Sequence, residues 1–453
     1  MRRGLHSLGG SHRGAEQTGP CDCTMKTILQ IALDFVDLSR ALRAAREVVA
    51  GGADWIEAGT PLIKAEGLNA VRALRKEFPR HTLVADMKTM DAGRIEMEAA
   101  AKAGANVAMV MGAACDSTIA ECAQAGRNFG IEIGVDLLGV VAFVERAQKV
   151  ESLGANYVVI HTPIDEQMRG ADPFARLRAV AKAVQIPVAV AGGINSETAV
   201  NAVKAGASIV IVGGAVIKSE DATKATREIK RAITTGRKVK TDLFKRVRGA
   251  EIRALLKRVT TADLSHGNHN MPGLEGILPI QHGLKLVGPA VTVRTYPGDF
   301  AKPVEAIDTA KEGDVVVIDA GGTGPAVWGE LASNSAVRKG IAGVVIHGAI
   351  RDTAQIRALK FPAFARLVMP NCGEPKGLGE IGVPVVISGV RVSPGDWVVG
   401  DDDGVVVLPK ENAGELANRG IDCLEAENRI LKEILSEKTT LGQVLELIKW
   451  EKK

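Results

Sequence analysis

From Met25 onward the chain repeats one unit eight times, and this period constrains the fold more than any other feature. Short apolar runs rich in β-branched residues alternate, roughly every 25 residues, with Ala- and charge-rich stretches of helical period. The runs read TILQIALD, ADWIEAG, TLVADMK, NVAMVMG, IEIGVDL, NYVVIH, IPVAVAGG and SIVIVGG. Helical stretches such as SRALRAAREVVAGG and SETAVNAVKAGA separate them, and Ser196 is the candidate N-cap of the second. Eight units in about 210 residues predict a (β/α)8 TIM barrel over residues 25–235. A doubly wound open sheet competes, but the first strand runs into QIALDFVD without the Gly-rich turn such sheets favour.

Chemistry in a barrel sits where its strands end. Those ends carry Asp34, Glu57, Asp86 with Lys88, Gly112, Asp136, His161, Gly192-Gly193 and Gly213-Gly214. Taken singly, Asp136 has an alternative as a helix cap and His161 as a core histidine. A ring of ionisable groups, each closing a hydrophobic strand, is harder to explain by packing, because buried charge is costly without partners. Glu57 and Asp86 offer hard oxygen ligands for Mg2+, and Lys88 a fixed cation for a developing enolate. The two glycine pairs, after the seventh and eighth strands, offer bare backbone to a phosphate. These parts suit a sugar phosphate whose enediolate is stabilised.

The segments IALD, WIEAGTPLI, VADMKTMDAG, VIHTPIDEQ, VAGGI and IVIVGGAVI resemble the 3-hexulose-6-phosphate synthase family. That family belongs to the orotidine-monophosphate-decarboxylase-like barrels, which carry an Asp-x-Lys-x-x-Asp run. The resemblance implies a Mg2+-dependent aldol addition of formaldehyde to ribulose 5-phosphate, or its reverse. It makes Glu57 and Asp86 metal ligands, puts Asp34 and Lys88 on the substrate and gives His161 the proton transfer. Asp91 would reach into a neighbouring subunit's site, implying a dimer. The related 3-keto-L-gulonate-6-phosphate decarboxylases carry an arginine three residues after the histidine. Here that position is Ile164, which favours the synthase.

At 453 residues the chain exceeds one core, and the repeat stops after residue 235. Residues 1–24 lack the apolar stretch of a secretory signal and are expected to be a disordered extension, in which Cys21 and Cys23 are a weak metal candidate. Residues 230–258 hold eleven basic and two acidic side chains. They are expected to be a solvated linker, centred on 236–254, rather than a nucleic-acid contact, since only Phe244 interrupts them. Aromatics at 3% and a net charge of +4 also argue against a polyanionic partner. Six scattered cysteines with no CxxC pair suit a reducing, cytoplasmic compartment, and no apolar run reaches membrane-spanning length.

Residues 255–453 are expected to form a second α/β domain ending in a long helix, with GDDDGVVVLP as a hairpin turn rather than a calcium loop. In SHGNHNMPG, a polar turn is preferred over a metal shared by His266 and His269. The Gly-rich loop of GGTGPAVWGELASNSAVRKGIAGVVIHGAIRD (321–352) leads into a helix beginning near Trp328, whose N–H groups suit a carboxylate. Arg351 suits the same carboxylate and Asp352 a metal. Glu330, twenty intervening residues and Arg351-Asp352 resemble the signature of the ribonuclease-activity-regulator A family and the related 4-hydroxy-4-methyl-2-oxoglutarate aldolases. The resemblance implies a swivelling α/β domain, Mg2+ on Asp352, and a pyruvate-type oxo-acid held by Arg351 with the backbone of Gly329, Glu330 and Leu331. The aldolases typically carry Asp where Glu330 stands. The family also includes non-catalytic, ribonuclease-binding regulators, often trimeric, so a higher homo-oligomer and a purely regulatory role are the alternatives.

Overall fold

The computed structural model describes residues 27–242, 244–247, 251–437 and 439–447. The leader, with Cys21 and Cys23, lies outside the described residues. The eight apolar runs form a closed parallel barrel in sequence order. Its strands are β1 (Ile28–Leu33), β2 (Trp55–Ala58), β3 (Thr82–Thr89), β4 (Val107–Met111), β5 (Glu132–Asp136), β6 (Tyr157–His161), β7 (Val188–Ala191) and β8 (Ile209–Val212), with β1 closing on β8.

The barrel interior is filled by Ala32, Val84, Val107, Met109, Tyr157, Val159, Ala189, Ala191, Ile209 and Ile211. The opposite strand faces pack outward against the helices, so both faces are buried and the runs read as continuously apolar. Tyr157 is the largest side chain inside, and Gly134 makes room for it: a Cβ there would meet its ring at 2.5 Å. The helix Leu38–Ala50 follows from SRALRAAREVVA and is capped by the Asp37 carboxylate, which accepts from Arg40 N–H. Ser196 is not the cap expected of it. The helix there is Ala199–Lys204, Asn195 binds the N–H groups of Glu197 and Thr198, and the Ser196 hydroxyl donates instead to Val239 O in the linker.

The second domain is a mixed sheet with helices. Its strands are β9 (Leu278–Pro279), β10 (Leu286–Arg294), β11 (Val315–Asp319), β12 (Gly343–Ile350), β13 (Ala363–Val368), β14 (Glu380–Ile381), β15 (Val385–Ile387), β16 (Val390–Val392), β17 (Trp397–Asp401) and β18 (Gly404–Leu408). The order is β18-β17-β10-β11-β12-β13-β9, with β14 beside β10 and β15-β16 forming a separate ribbon. The acidic turn is the expected hairpin between β17 and β18. Asp401 accepts there from Thr261 N–H and Lys285 Nζ.

The C-terminal helix Ala413–Glu437 joins the two domains. Buried Asn418 donates to Met168 O of the barrel and accepts from Val247 N–H of the linker at 2.8 Å. Arg429, 3% exposed, binds Glu47 of the barrel at 2.8 Å and Glu433 of its own helix at 2.9 Å. Glu433 in turn accepts from Arg40. Removing one member of a buried ion network strands the others. Arg429→Ala should therefore lower stability by about 3 kcal/mol, measurable as a shifted urea midpoint, and should speed proteolysis of the linker.

Candidate active site

The barrel strands deliver Asp34, Glu57, Asp86, Lys88, Asp136 and His161 to one cavity of about 590 Å³, together with both glycine pairs. Strand β3 does so by breaking register with β4 between Ala85 and Thr89. Within this bulge Lys88 takes a left-handed backbone conformation, φ 46°, which costs a non-glycine residue about 1 kcal/mol or more. The distortion aims its ammonium into the site. Lys88 Nζ lies 3.0 Å from Asp136 Oδ2 and 3.1 Å from Asp86 Oδ2.

Asp136 is the hub that the sequence left open between a rim residue and a helix cap. Its Oδ2 also meets His161 Nδ1 at 2.9 Å, and its Oδ1 accepts from Leu138 N–H. With Nδ1 engaged, Nε2 of His161 is the ring nitrogen left for the cavity. Burial alone would raise the Asp136 carboxyl, but His161 and Lys88 outweigh it and hold the group below the usual aspartate range. Burial likewise opposes the Lys88 charge, yet Asp86, Asp136 and Glu57 prevail and raise its pKa above that of an ordinary lysine.

On the opposite side of the cavity, burial and like charge dominate. Burial first, then Asp86 and Asp34, push Glu57 well above the usual glutamate range; burial and Asp86 raise Asp34 too. Among the described residues, only Lys88 and, when protonated, His161 form ion pairs with this set of carboxylates. Thr60 donates to Asp86 at 2.6 Å and Gln30 Nε2 to Glu57, leaving Gln30 Oε1 buried without a partner. Clustered buried carboxylates that share Lys88 as their paired ammonium are the donor set a divalent cation would neutralise, and Glu57 and Asp86 fit Mg2+. Asp91 is not brought into this group within the chain. It is exposed, and its carboxylate accepts from Ala92 N–H.

Gly192 has φ 94°, and a Cβ there would strike Thr162 O at 2.4 Å. At Gly214 a Cβ would meet the ring of Phe244 at 2.5 Å. Phe244 belongs to the linker and lines the same cavity. Its N–H donates to Glu425 of the C-terminal helix at 2.7 Å, and the Arg246 guanidinium lies 4.1 Å from the centre of its ring. Lys218, also at the cavity, is held by Asp422 of that helix at 2.7 Å. The sequence reading missed Phe244, Lys218, Gln30 and Thr60 as wall or support residues. Of these, only Phe244 carried a signal, as the lone aromatic in a basic run.

In the second domain Arg351 and Asp352 follow β12 and meet the start of the helix Glu330–Arg338, two residues later than the Trp328 start expected. Asp352 Oδ2 accepts from Glu330 N–H at 3.1 Å and lies 3.4 Å from Arg351 Nε. Gly329 is backed against Asp352, since a Cβ would meet its carboxylate at 2.5 Å. One of the N–H groups expected to hold an oxo-acid is thus already engaged. The Asp352 carboxylate lies beside the Arg351 guanidinium. Nearby, His347 bridges Asp319 at 3.0 Å and Arg366 at 3.2 Å, an arrangement the sequence reading did not single out.

A closed barrel with an acid-base cluster at the carboxyl ends of its strands has the architecture of a TIM-barrel enzyme, here joined to a second α/β domain. Residues 27–229 match the family model Orotidine 5'-phosphate decarboxylase / HUMPS family, and residues 261–407 match Aldolase/RraA. The chain is 41% identical over 205 residues to 3-hexulose-6-phosphate synthase of Mycobacterium gastri, covering 45% of this chain and 99% of that one. It is 46% identical over 165 residues to an uncharacterized protein of Methanocaldococcus jannaschii, covering 36% of this chain and 79% of that one. A solved structure of 3-hexulose-6-phosphate synthase shares 40% identity, with 46% of this chain and 99% of that one covered and a TM-score of 0.44. The chain belongs to the orotidine 5'-phosphate decarboxylase / HUMPS family and carries an RraA-like domain fused behind the barrel.

Asp136→Asn tests the hub. A carboxyl held below its ordinary range stabilises the fold above that range, and the stabilisation fades as pH falls toward the depressed value. The variant should be less stable than wild type by about 2 kcal/mol at neutral pH. Thermal unfolding followed across pH should show this gap closing below about pH 4.

Proposed function

We propose that the barrel condenses formaldehyde with D-ribulose 5-phosphate to give 3-hexulose 6-phosphate, and catalyses the reverse cleavage. The observation that carries this reading is the Lys88–Asp136–His161 cluster facing the Glu57 and Asp86 carboxylates in one cavity. The 41% identity to a named synthase along nearly its full length supports it. The phosphate group of the sugar would rest on the backbone of Gly192, Gly193, Gly213 and Gly214, and Asp34 would meet a sugar hydroxyl.

Neutral His161 takes the C1 proton on Nε2, and Asp136 stabilises the imidazolium through Nδ1. The electron pair released from the C–H bond forms the enediolate, whose oxygen the Lys88 ammonium stabilises. The enediolate carbon attacks formaldehyde, a new C–C bond forms as the formaldehyde C=O π bond breaks, and the His161 imidazolium returns its proton to that oxygen, which becomes the product hydroxyl. A Mg2+ ion held by Glu57 and Asp86 would supply Lewis-acid polarisation of the sugar carbonyl. In a dimer, exposed Asp91 would complete the neighbouring copy's site. Ile164 at the cavity places an apolar side chain where the resemblance expects a decarboxylase arginine, which favours the aldol reaction. For the second domain, Arg351 supports recognition of an oxo-acid carboxylate.

Purified protein should consume formaldehyde only with ribulose 5-phosphate present and Mg2+ available, and EDTA should abolish consumption. Lys88→Ala should slow turnover on the order of 100-fold. Near-normal turnover in that variant would remove Lys88 from the mechanism. No consumption by wild type, with release of CO2 from 3-keto-L-gulonate 6-phosphate instead, would replace the synthase reading by the decarboxylase.

A further inference from the structure

Away from the barrel rim, three donors of different chemistry converge between two helices of the second domain. His266 lies in the last turn of the helix Thr261–Gly267, while Cys423 and Glu427 stand four residues apart on the C-terminal helix. His266 Nδ1 is 2.9 Å from Glu427 Oε1 and 3.3 Å from Cys423 Sγ, and the sulfur is 3.5 Å from the same carboxylate oxygen. Zinc bonds of about 2.0–2.3 Å in tetrahedral array put neighbouring ligand atoms about 3.4–3.6 Å apart. The trio therefore describes one face of such a tetrahedron to within about half an ångström, with the His266–Glu427 edge the shortest.

The two helices hold this face in place. A Cβ at Gly267 would meet Arg419 O at 2.5 Å, so the backbones are in close contact. Asn268 ties them further, donating to Leu264 O and to Leu416 O. His269, the partner the sequence offered for His266, stands in the following turn with φ 58° and is not in the trio. The donors come instead from a helix more than 150 residues away. Thiolate and carboxylate together balance a dication, with the imidazole neutral, and sulfur with imidazole selects zinc over magnesium.

We propose that His266, Cys423 and Glu427 bind one zinc-type divalent ion, with solvent in the fourth position, and clasp the two helices together. On binding, the Cys423 thiol gives its proton to the buffer, and His266 ligates through the Nδ1 lone pair with its N–H on Nε2.

The test uses full-length protein stripped by chelator, dialysed, and kept in excess Mg2+ to occupy oxygen-donor sites. Titration with Co2+ should produce a thiolate-to-cobalt charge-transfer band and tetrahedral d–d absorption, saturating at one equivalent and bleached by Zn2+. Both signals should disappear in Cys423→Ser, and His266→Ala should lose the one-equivalent end point. Zn2+ should raise the unfolding temperature of wild type and leave that of Cys423→Ser unchanged. Absence of the charge-transfer band in wild type would overturn the proposal. A band undiminished in Cys423→Ser would also overturn it, by placing the thiolate elsewhere, as in the Cys21-Asp-Cys23 leader.

Discussion

The barrel site rests on an imbalance of charge. Asp34, Glu57, Asp86 and Asp136 face a single cavity, and Lys88 is the ammonium paired with Asp86 and Asp136. In water such carboxylates would separate and hydrate; on strand ends of a packed barrel they cannot. The structure resolves the conflict unevenly. Asp136 receives both Lys88 and His161 and keeps its charge, whereas Glu57 and Asp34 are pushed toward the protonated state. The first arrangement suits a group that orients a proton carrier, and the second suits groups awaiting a cation or a substrate hydroxyl. One bulge in β3 makes this division possible, because it turns Lys88 toward Asp136 while Asp86 stays beside Thr60.

Much of this was legible in the chain because a parallel barrel writes itself into sequence at short range. Each strand is a local apolar run, and each strand's last residue is also the rim residue, so order along the chain gives order around the ring. Asp34, Glu57, Asp86, Lys88, His161 and both glycine pairs could be placed in one cavity by that rule alone. What strand order cannot give is which rim residues bond to one another. Asp136 and Lys88 are 48 positions apart, and their contact depends on a local break in register. Ser196 failed as a cap for a similar reason: its hydroxyl is drawn to linker residue Val239, leaving Asn195 to bind the N–H groups at the turn. Backbone contacts of the regulator-type loop were equally hidden, since Asp352 reaches Glu330 N–H across the Gly329 turn.

Part of the basic run after the barrel is paired within the chain. Lys230 pairs with Asp54, Lys245 with Glu197, and Arg246 with both Asp422 and Glu425. Arg253 donates to Val287 O and Gly313 O in the second domain. These four cations have acceptors within the chain, and the two carboxylates on Arg246 come from the C-terminal helix. That helix was read from sequence as a terminal element, but its contacts make it the piece that binds barrel, linker and sheet together.

Fusion therefore alters the barrel site itself. The cavity wall over Gly214 is Phe244, a linker residue with φ 52° that is fixed by Glu425 and stacked by Arg246. Arg246 in turn depends on Asp422, and Asp422 also restrains Lys218 at the same end of the cavity. A barrel released from its second domain would keep the Lys88–Asp136–His161 cluster, whose members all come from strands β3, β5 and β6. It would lose the aromatic wall and the carboxylate on Lys218 where the glycine pair of β8 opens. Chemistry and substrate enclosure thus have different structural owners: the first is intrinsic to the eightfold repeat, and the second is shared with a helix some 200 residues further along the chain.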